Sequence, residues 1–214
     1  MPPGTAKPRR VYDSSLRRER ARARRAAILD ACRAELALSG YAGLTVRAVA
    51  ERASVSQETV YKAFGGKREL VKTLYDVTLA GDDEPVPMAD RPEVRDLLGA
   101  TDPAVTVAGY ARLARRISER VGVIVAALSA GGAEAAAIIG ETEAERLVGV
   151  TAFVRHVESA GRLGAGVDPV AAAEACWVLT APEVYRLCTA VRGWTGDAYE
   201  VWLTRMLTAV VLGP

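Results

Sequence analysis

Gln57, Glu58, Thr59 and Lys62 stand in the stretch ASVSQETVYKAFGGK, Ala53 to Lys67, among the apolar anchors Val55, Val60 and Phe64 and ahead of a Gly65-Gly66 pair. Amide, carboxylate, hydroxyl and ammonium groups set on one short helix can hydrogen-bond to base edges in a DNA major groove. A solvated helix needs no such sharp entry and exit, whereas a helix inserted into a partner does. Helix N-termini expected at Thr45, Ser56 and Lys67 would present backbone N–H groups to phosphates, aided by two hydroxyls and the Lys67 ammonium.

No other chemistry assembles a comparable set. Gly65-Gly66, Gly131-Gly132 and Gly164-Ala165-Gly166 follow helical patterns rather than strands, so none reads as a dinucleotide loop or P-loop. Glu141 and Glu145 lie four residues apart but have no partner cluster in the sequence. One histidine, His156, and scattered serines supply no nucleophile, base and orienter, so an enzyme is not expected. Cys32, Cys176 and Cys188 lie in apolar helical patterns, with no CxxC; they read as reduced core thiols, and neither metal nor cofactor is expected.

The elements that must position the candidate residues are all helical. A first helix is capped near Ser14-Ser15 and runs to about Leu38, burying Ile28, Leu29, Cys32 and Leu36, with Ser39-Gly40 ending it. Thr45 caps a second, with Val46, Val49, Ala50 and Ala53 on one face. Ser56 caps a third that stops at Phe64, and a fourth runs from Lys67 to about Ala80. The second and third, joined by a tight turn, form a helix-turn-helix that holds the third proud of the body. Downstream, helices are expected over PEVRDLL, over 103–128, over 141–163, from Asp168-Pro169 to about Val191, and from Thr195 to Leu212. Pro182 lies inside the fourth of these, where it should free the Val178 carbonyl and bend the helix. No segment alternates with period two, so the fold class is all-α, with nine to ten helices.

Charge divides the chain. Residues 1–80 carry 16 Lys/Arg against 8 Asp/Glu, whereas residues 81–214 carry 12 against 18. A basic module that meets a polyanion, followed by an acidic body, is the reading. The composition break at 81–92, GDDEPVPMADRP, places the boundary: a disordered basic arm over 1–13, a DNA-binding domain over 14–80 and a helical effector and dimerisation domain over 81–214. The arm and helix start, Arg9 to Arg25, hold eight Arg against two acidic residues, and serve either as phosphate or minor-groove contacts or as a solvated helix start. No signal peptide is recognised, and Val121 to Gly140, broken by Glu134 and a Gly pair, is too short to span a membrane; the protein is expected in the cytoplasm, away from membranes.

The segment GLTVRAVAERASVSQETVYKAFGGKRELV resembles the DNA-binding part of the TetR family of bacterial transcriptional repressors. Thr45-Val46 and Ala50, then Ala53, Val55 and Ser56, then Thr59-Val60-Tyr61 with Phe64, then Lys67 and Leu70 carry the likeness. Ser54 departs from it, standing where the family usually has Gly in a left-handed turn. The resemblance implies a regulator released from a palindromic double-stranded operator by an unknown small-molecule effector. By it, Thr45, Tyr61 and Lys67 grip phosphates, Ser56, Gln57, Glu58 and Lys62 face the groove, and Arg47 and Thr59 belong to the same DNA-binding surface. The plainer readings are a core Tyr61, a surface Lys67, and a Glu58 that only complements the helix dipole.

The resemblance extends weakly to Asp168–Leu207, similar to the closing helix pair through which such regulators form homodimers. Ala172, Ala175 and Leu179 on one helix, with Trp202, Leu203, Met206 and Val210 on the other, are the interface candidates; the alternative is that these stripes pack on the chain's own core. An effector cavity is implied between the boundary and that pair, with Tyr110, Phe153, His156, Trp177 and Tyr185 as candidate linings, each of which also reads as core or surface; His156, beside Arg155 and Glu158, reads most simply as solvated. The competing function is a helical small-molecule binding protein without operator recognition.

Overall fold

The computed structural model describes residues 14–213, and the arm expected over 1–13 lies outside them. Among the described residues the architecture is ten α-helices without a strand. Helices α1 (Ser14–Gly43), α2 (Val46–Arg52), α3 (Gln57–Phe64) and α4 (Lys67–Ala80) come first. After a loop with one 3-10 turn at Met88–Asp90 follow α5 (Pro92–Gly99), α6 (Pro103–Ser129), α7 (Gly132–Ser159), α8 (Pro169–Leu179), α9 (Pro182–Arg186) and α10 (Gly196–Val211).

Local chemistry explains most ends. Thr45, Ser56, Asp102, Asp168 and Thr195 each accept a hydrogen bond from a first-turn backbone N–H, satisfying donors that the helix itself cannot. Prolines at 103, 169 and 182 occupy first-turn positions where the missing N–H does no harm. At Gly40, φ is 64°, so α1 kinks there before one further turn.

Two helices differ from their expected limits. Helix α7 begins at Gly132, not near Glu141, because Gly140 is absorbed within a helix-forming run that includes four alanines and the Gly131-Gly132 pair marks the turn. The expected helix from Pro169 to Val191 is broken rather than bent: α8 ends at Leu179, the Val178 carbonyl accepts from Ala181 N–H, and Pro182 starts α9. Leu187–Val191 then continue as a π-helical turn.

Helix α6 is the axis, packing against α1, α4, α5, α7, α9 and α10. One core unites Ile28, Cys32, Leu36, Val49, Val60 and Leu74 with Val121, Ile124 and Leu128 of α6 and Ile138 of α7, so the first four helices are rooted in the body. A second core gathers Val107, Phe153, Cys176, Tyr199, Leu203 and Leu207. Cys32 and Cys176 are buried and unpaired, and burial pushes both thiols up to about 12, which keeps them protonated and inert.

Candidate functional site

The turn between α2 and α3 is a helix C-cap in which Val55 N–H reaches back to the Ala50 carbonyl at 3.0 Å and Ser54 N–H to that of Glu51 at 3.2 Å. Ser54 occupies its left-handed position with φ 53°, the sole non-glycine positive φ among the described residues. The next residue but one, Ser56, caps α3: its Oγ accepts from Thr59 N–H at 3.2 Å and lies 2.9 Å from the Thr59 hydroxyl. Val60 and Phe64 are buried beneath α3. Gln57, Glu58, Tyr61 and Lys62 are exposed on it, Thr59 half so, and Thr45, Arg47 and Ser56 are exposed nearby.

Tyr61 is 51% exposed, which excludes the core reading. Lys67 Nζ lies 4.3 Å from the centre of the Tyr41 ring, a cation–π contact that holds the ammonium at the start of α4. No side chain caps that end of α4, so its first N–H groups remain available. Glu58 pairs with Lys62 at 2.7 Å, both about three-quarters exposed, a contact of small energy that any anion could replace. Thr45 Oγ1 accepts from Ala48 N–H at 3.1 Å and is thereby oriented.

The basic start of α1 is partly engaged. Arg25 stacks over the Phe64 ring at 4.6 Å and donates to Asp83 at 2.7 Å, and Arg22 pairs with Glu84 at 3.4 Å. Asp82 is gripped by both terminal nitrogens of Arg91 at 2.7 and 3.0 Å and accepts from Glu84 N–H; these bonds hold its carboxyl down at about 2. The acidic joint thus fastens α1 to the body.

Behind this surface lies a largely apolar cavity of about 430 Å³, walled by α4, α5, α6 and α7 and closed by Thr180 and Pro182. Of the five expected lining residues the structure brings together two: Tyr110 and Phe153 stack at 3.8 Å with 6° between ring planes, and both line it. The other three lie elsewhere. His156 is not solvated; it is half-buried and its Nε2–H donates to the Leu98 carbonyl at 2.8 Å, tying α7 to α5. Trp177 lies under the Arg146 guanidinium, and the Tyr185 hydroxyl donates to Glu119.

The polar lining was not anticipated. Asp76, Glu145, Arg146, Thr142 and Thr180 reach the cavity. Arg146 is consumed by Glu143, the Trp177 carbonyl and Thr180. Lys72 bridges Asp76 at 2.7 Å and Glu145 at 3.0 Å, and Arg68 pairs with Glu141 at 2.7 Å. Glu141 and Glu145 therefore do have partners, supplied by α4. The readable signal was the matched spacing: two cations at i, i+4 on α4 facing two carboxylates at i, i+4 on α7.

Among the interface candidates, Ala172 and Leu203 are buried in the chain's own core, at 3% and 0% exposure, because they sit on the inward stripes of α8 and α10. Ala175, Leu179, Trp202, Met206 and Val210 are half-buried. The large apolar side chains that remain outward on these helices are Val170, Val178 and Val201, with Trp194 just before α10. Among the described residues no helix is long and apolar enough to cross a membrane, and no group of His, Cys, Asp or Glu could hold a metal ion.

Comparison with known proteins follows the same lines. Residues 28–74 match the family model for bacterial regulatory proteins of the tetR family. No curated protein matches the sequence. The fold is similar to the fatty acid degradation regulator FadR of Bacillus halodurans, at 16% identity over 86% of this chain and 94% of that one, TM-score 0.65. It is similar also to two Pseudomonas aeruginosa repressors. NalD, the secondary repressor of the MexAB-OprM multidrug efflux pump, aligns at 15% identity over 90% and 98% of the two chains, TM-score 0.65. MexZ, a repressor responsible for antibiotic resistance, aligns at 18% over 90% and 97%, TM-score 0.62. Residues 28–74 thus match the model of bacterial regulatory proteins of the tetR family, and the fold of the whole chain is similar to those of these regulators.

Proposed function

We propose that the protein is a sequence-specific DNA-binding transcriptional regulator, a repressor that binds a palindromic operator as a homodimer and is released by a small molecule held in the cavity behind the helix-turn-helix. The observation that carries this reading is α3, which buries Val60 and Phe64, leaves Gln57, Glu58, Tyr61 and Lys62 exposed, and has the oriented Ser56 hydroxyl at its start. NalD and MexZ, which are similar in fold, are repressors, and this supports it. The outward valines of α8 and α10 support an association of two copies.

DNA retained from a genomic library should share a palindromic sequence, and affinity for it should fall steeply with salt as counterions are released. Lys67→Ala should weaken all DNA and flatten the salt slope by about one unit, as for one lost phosphate contact. Gln57→Ala should instead relax one base pair per half-site, by about 1–3 kcal/mol. A Gln57→Ala protein with unchanged affinity and preference would refute this placement of α3. Absence of any DNA binding at low salt would leave a helical small-molecule binding protein.

A further inference from the structure

We propose that the cavity takes an organic cation with an aromatic or aliphatic body, and that this cation competes with Lys72 for the carboxylates of Asp76 and Glu145. Its regulatory half rests on the operator-binding reading above; its binding half stands alone.

Charge accounting around the cavity leads to this ligand class. Glu141 is matched by Arg68 and Glu143 by Arg146, whereas Asp76 and Glu145 share the one ammonium of Lys72. Both carboxylates line the cavity and are about half exposed, while Lys72 is only 13% exposed. Burial raises Asp76 against the pull of Lys72, and Glu145 and Glu141 add smaller contributions in the same direction as burial. The lining cation Arg146 already has partners on every side, so an anionic ligand would find two carboxylates and no free guanidinium.

The remaining wall favours the same class. The aromatic rings of Tyr75, Tyr110 and Phe153 line the cavity, and rings of this kind attract cations, while Leu97, Leu113 and Ile117 offer apolar surface for the body. The volume lies within the range of small-molecule sites. Lys72 belongs to α4, whose first turn carries Lys67, and its bond to Glu145 is a tie between α4 and α7. A ligand cation that replaces Lys72 at Glu145 removes that tie while leaving the carboxylates satisfied. Of the two ion pairs that tie α4 to α7 only Arg68–Glu141 then remains, so α4 shifts more readily against α7, and α3, packed on α4, shifts with it.

The test uses two ions of the same shape and opposite charge, tetraphenylphosphonium and tetraphenylborate, titrated calorimetrically into the full-length protein without DNA. The phosphonium should bind at least about tenfold more tightly than the borate. Asp76→Asn and Glu145→Gln should each weaken the phosphonium by about tenfold, and Lys72→Met, which removes the internal competitor, should strengthen it, all with thermal melts near that of the wild type. Equal binding of both ions, preference for the borate, binding of neither, or indifference to all three substitutions would overturn the proposal. A separate operator titration, with and without the phosphonium, reads the release step. Phosphonium binding without any DNA binding would sink the regulator reading and leave the ligand site intact, and phosphonium binding that left operator affinity unchanged would overturn the competition for α4.

Discussion

Ser54 is the residue at which the site's local chemistry and its backbone disagree. The C-cap linking α2 to α3 demands a left-handed residue, and serine holds φ 53° there although its Cβ crowds the following carbonyl. Replacement by glycine removes about 1–2 kcal/mol of crowding and adds back about 0.5–1 kcal/mol of backbone entropy. Ser54→Gly should therefore stabilise the protein by about 0.5–1 kcal/mol, raising Tm by about 1–3 °C. A lower Tm would mean that the serine hydroxyl makes a contact worth more than the strain. At this scale the caps and the exposed face of α3 were legible, since capping hydroxyls and turn residues act within four positions of sequence. The cavity residues were not. Whether His156 faces solvent or Leu98 depends on a carbonyl 58 residues away, which no local spacing reports.

Elements meet at two joints, and each has a residue on which it turns. Gly131, between α6 and α7, is required by proximity: a Cβ there would come within 2.7 Å of the Tyr41 Cβ and 2.5 Å of the Ala135 Cβ. Gly131→Ala should push Tyr41 away from the body, costing about 1–3 kcal/mol as an overpacked contact. Because Lys67 rests on the Tyr41 ring, DNA affinity should fall with it. Stability and affinity both unchanged would show that the turn relaxes freely. The second joint is the acidic loop. Its Asp82 carboxyl is depressed from the ordinary 3.8 to about 2, first by the Arg91 bonds and then by Glu84 N–H. A depressed acid stabilises the fold above its ordinary value and loses that contribution as pH falls through the lowered one, so the clamp should open between about pH 4 and pH 2. Carboxyl titration by NMR should place Asp82 near 2 and return it toward 3.8 in Arg91→Ala; a midpoint near 3.8 in the wild type would remove the clamp. These joints also revise the meaning of the charge split. Part of the basic excess in residues 1–80 is answered within the chain: Arg22, Arg25, Arg68 and Lys72 are paired with carboxylates of the acidic half. Composition showed two opposite halves, but only the packing of α4 on α7 and of α1 against the loop shows that they answer each other.

For the whole molecule, one exposed α3 reads few base pairs, and specificity requires a second copy placed about one DNA turn, roughly 34 Å, away or at a multiple of it. The surface proposed for that copy is the outward side of α8 and α10. The sequence identified these helices but not their outward residues, because both faces of α8 are apolar and periodicity alone cannot say which stripe the chain covers itself. The structure separates them: Ala172 and Leu203 are enclosed, whereas Val178 and Val201 are each 54% exposed. In a two-fold interface every substitution occurs twice, so a carboxylate introduced there is desolvated in both protomers. The wild type should sediment as a dimer at micromolar concentration, and the double variant Val178→Glu, Val201→Glu as a monomer. Its helical content and Tm should stay near those of the wild-type protomer, since neither side chain belongs to the core. Operator affinity should drop to that of a single head, while affinity for an isolated half-site should be retained. A variant that remains dimeric would place the interface elsewhere, and a wild type that sediments as a monomer at that concentration would require the operator itself to bring the two copies together.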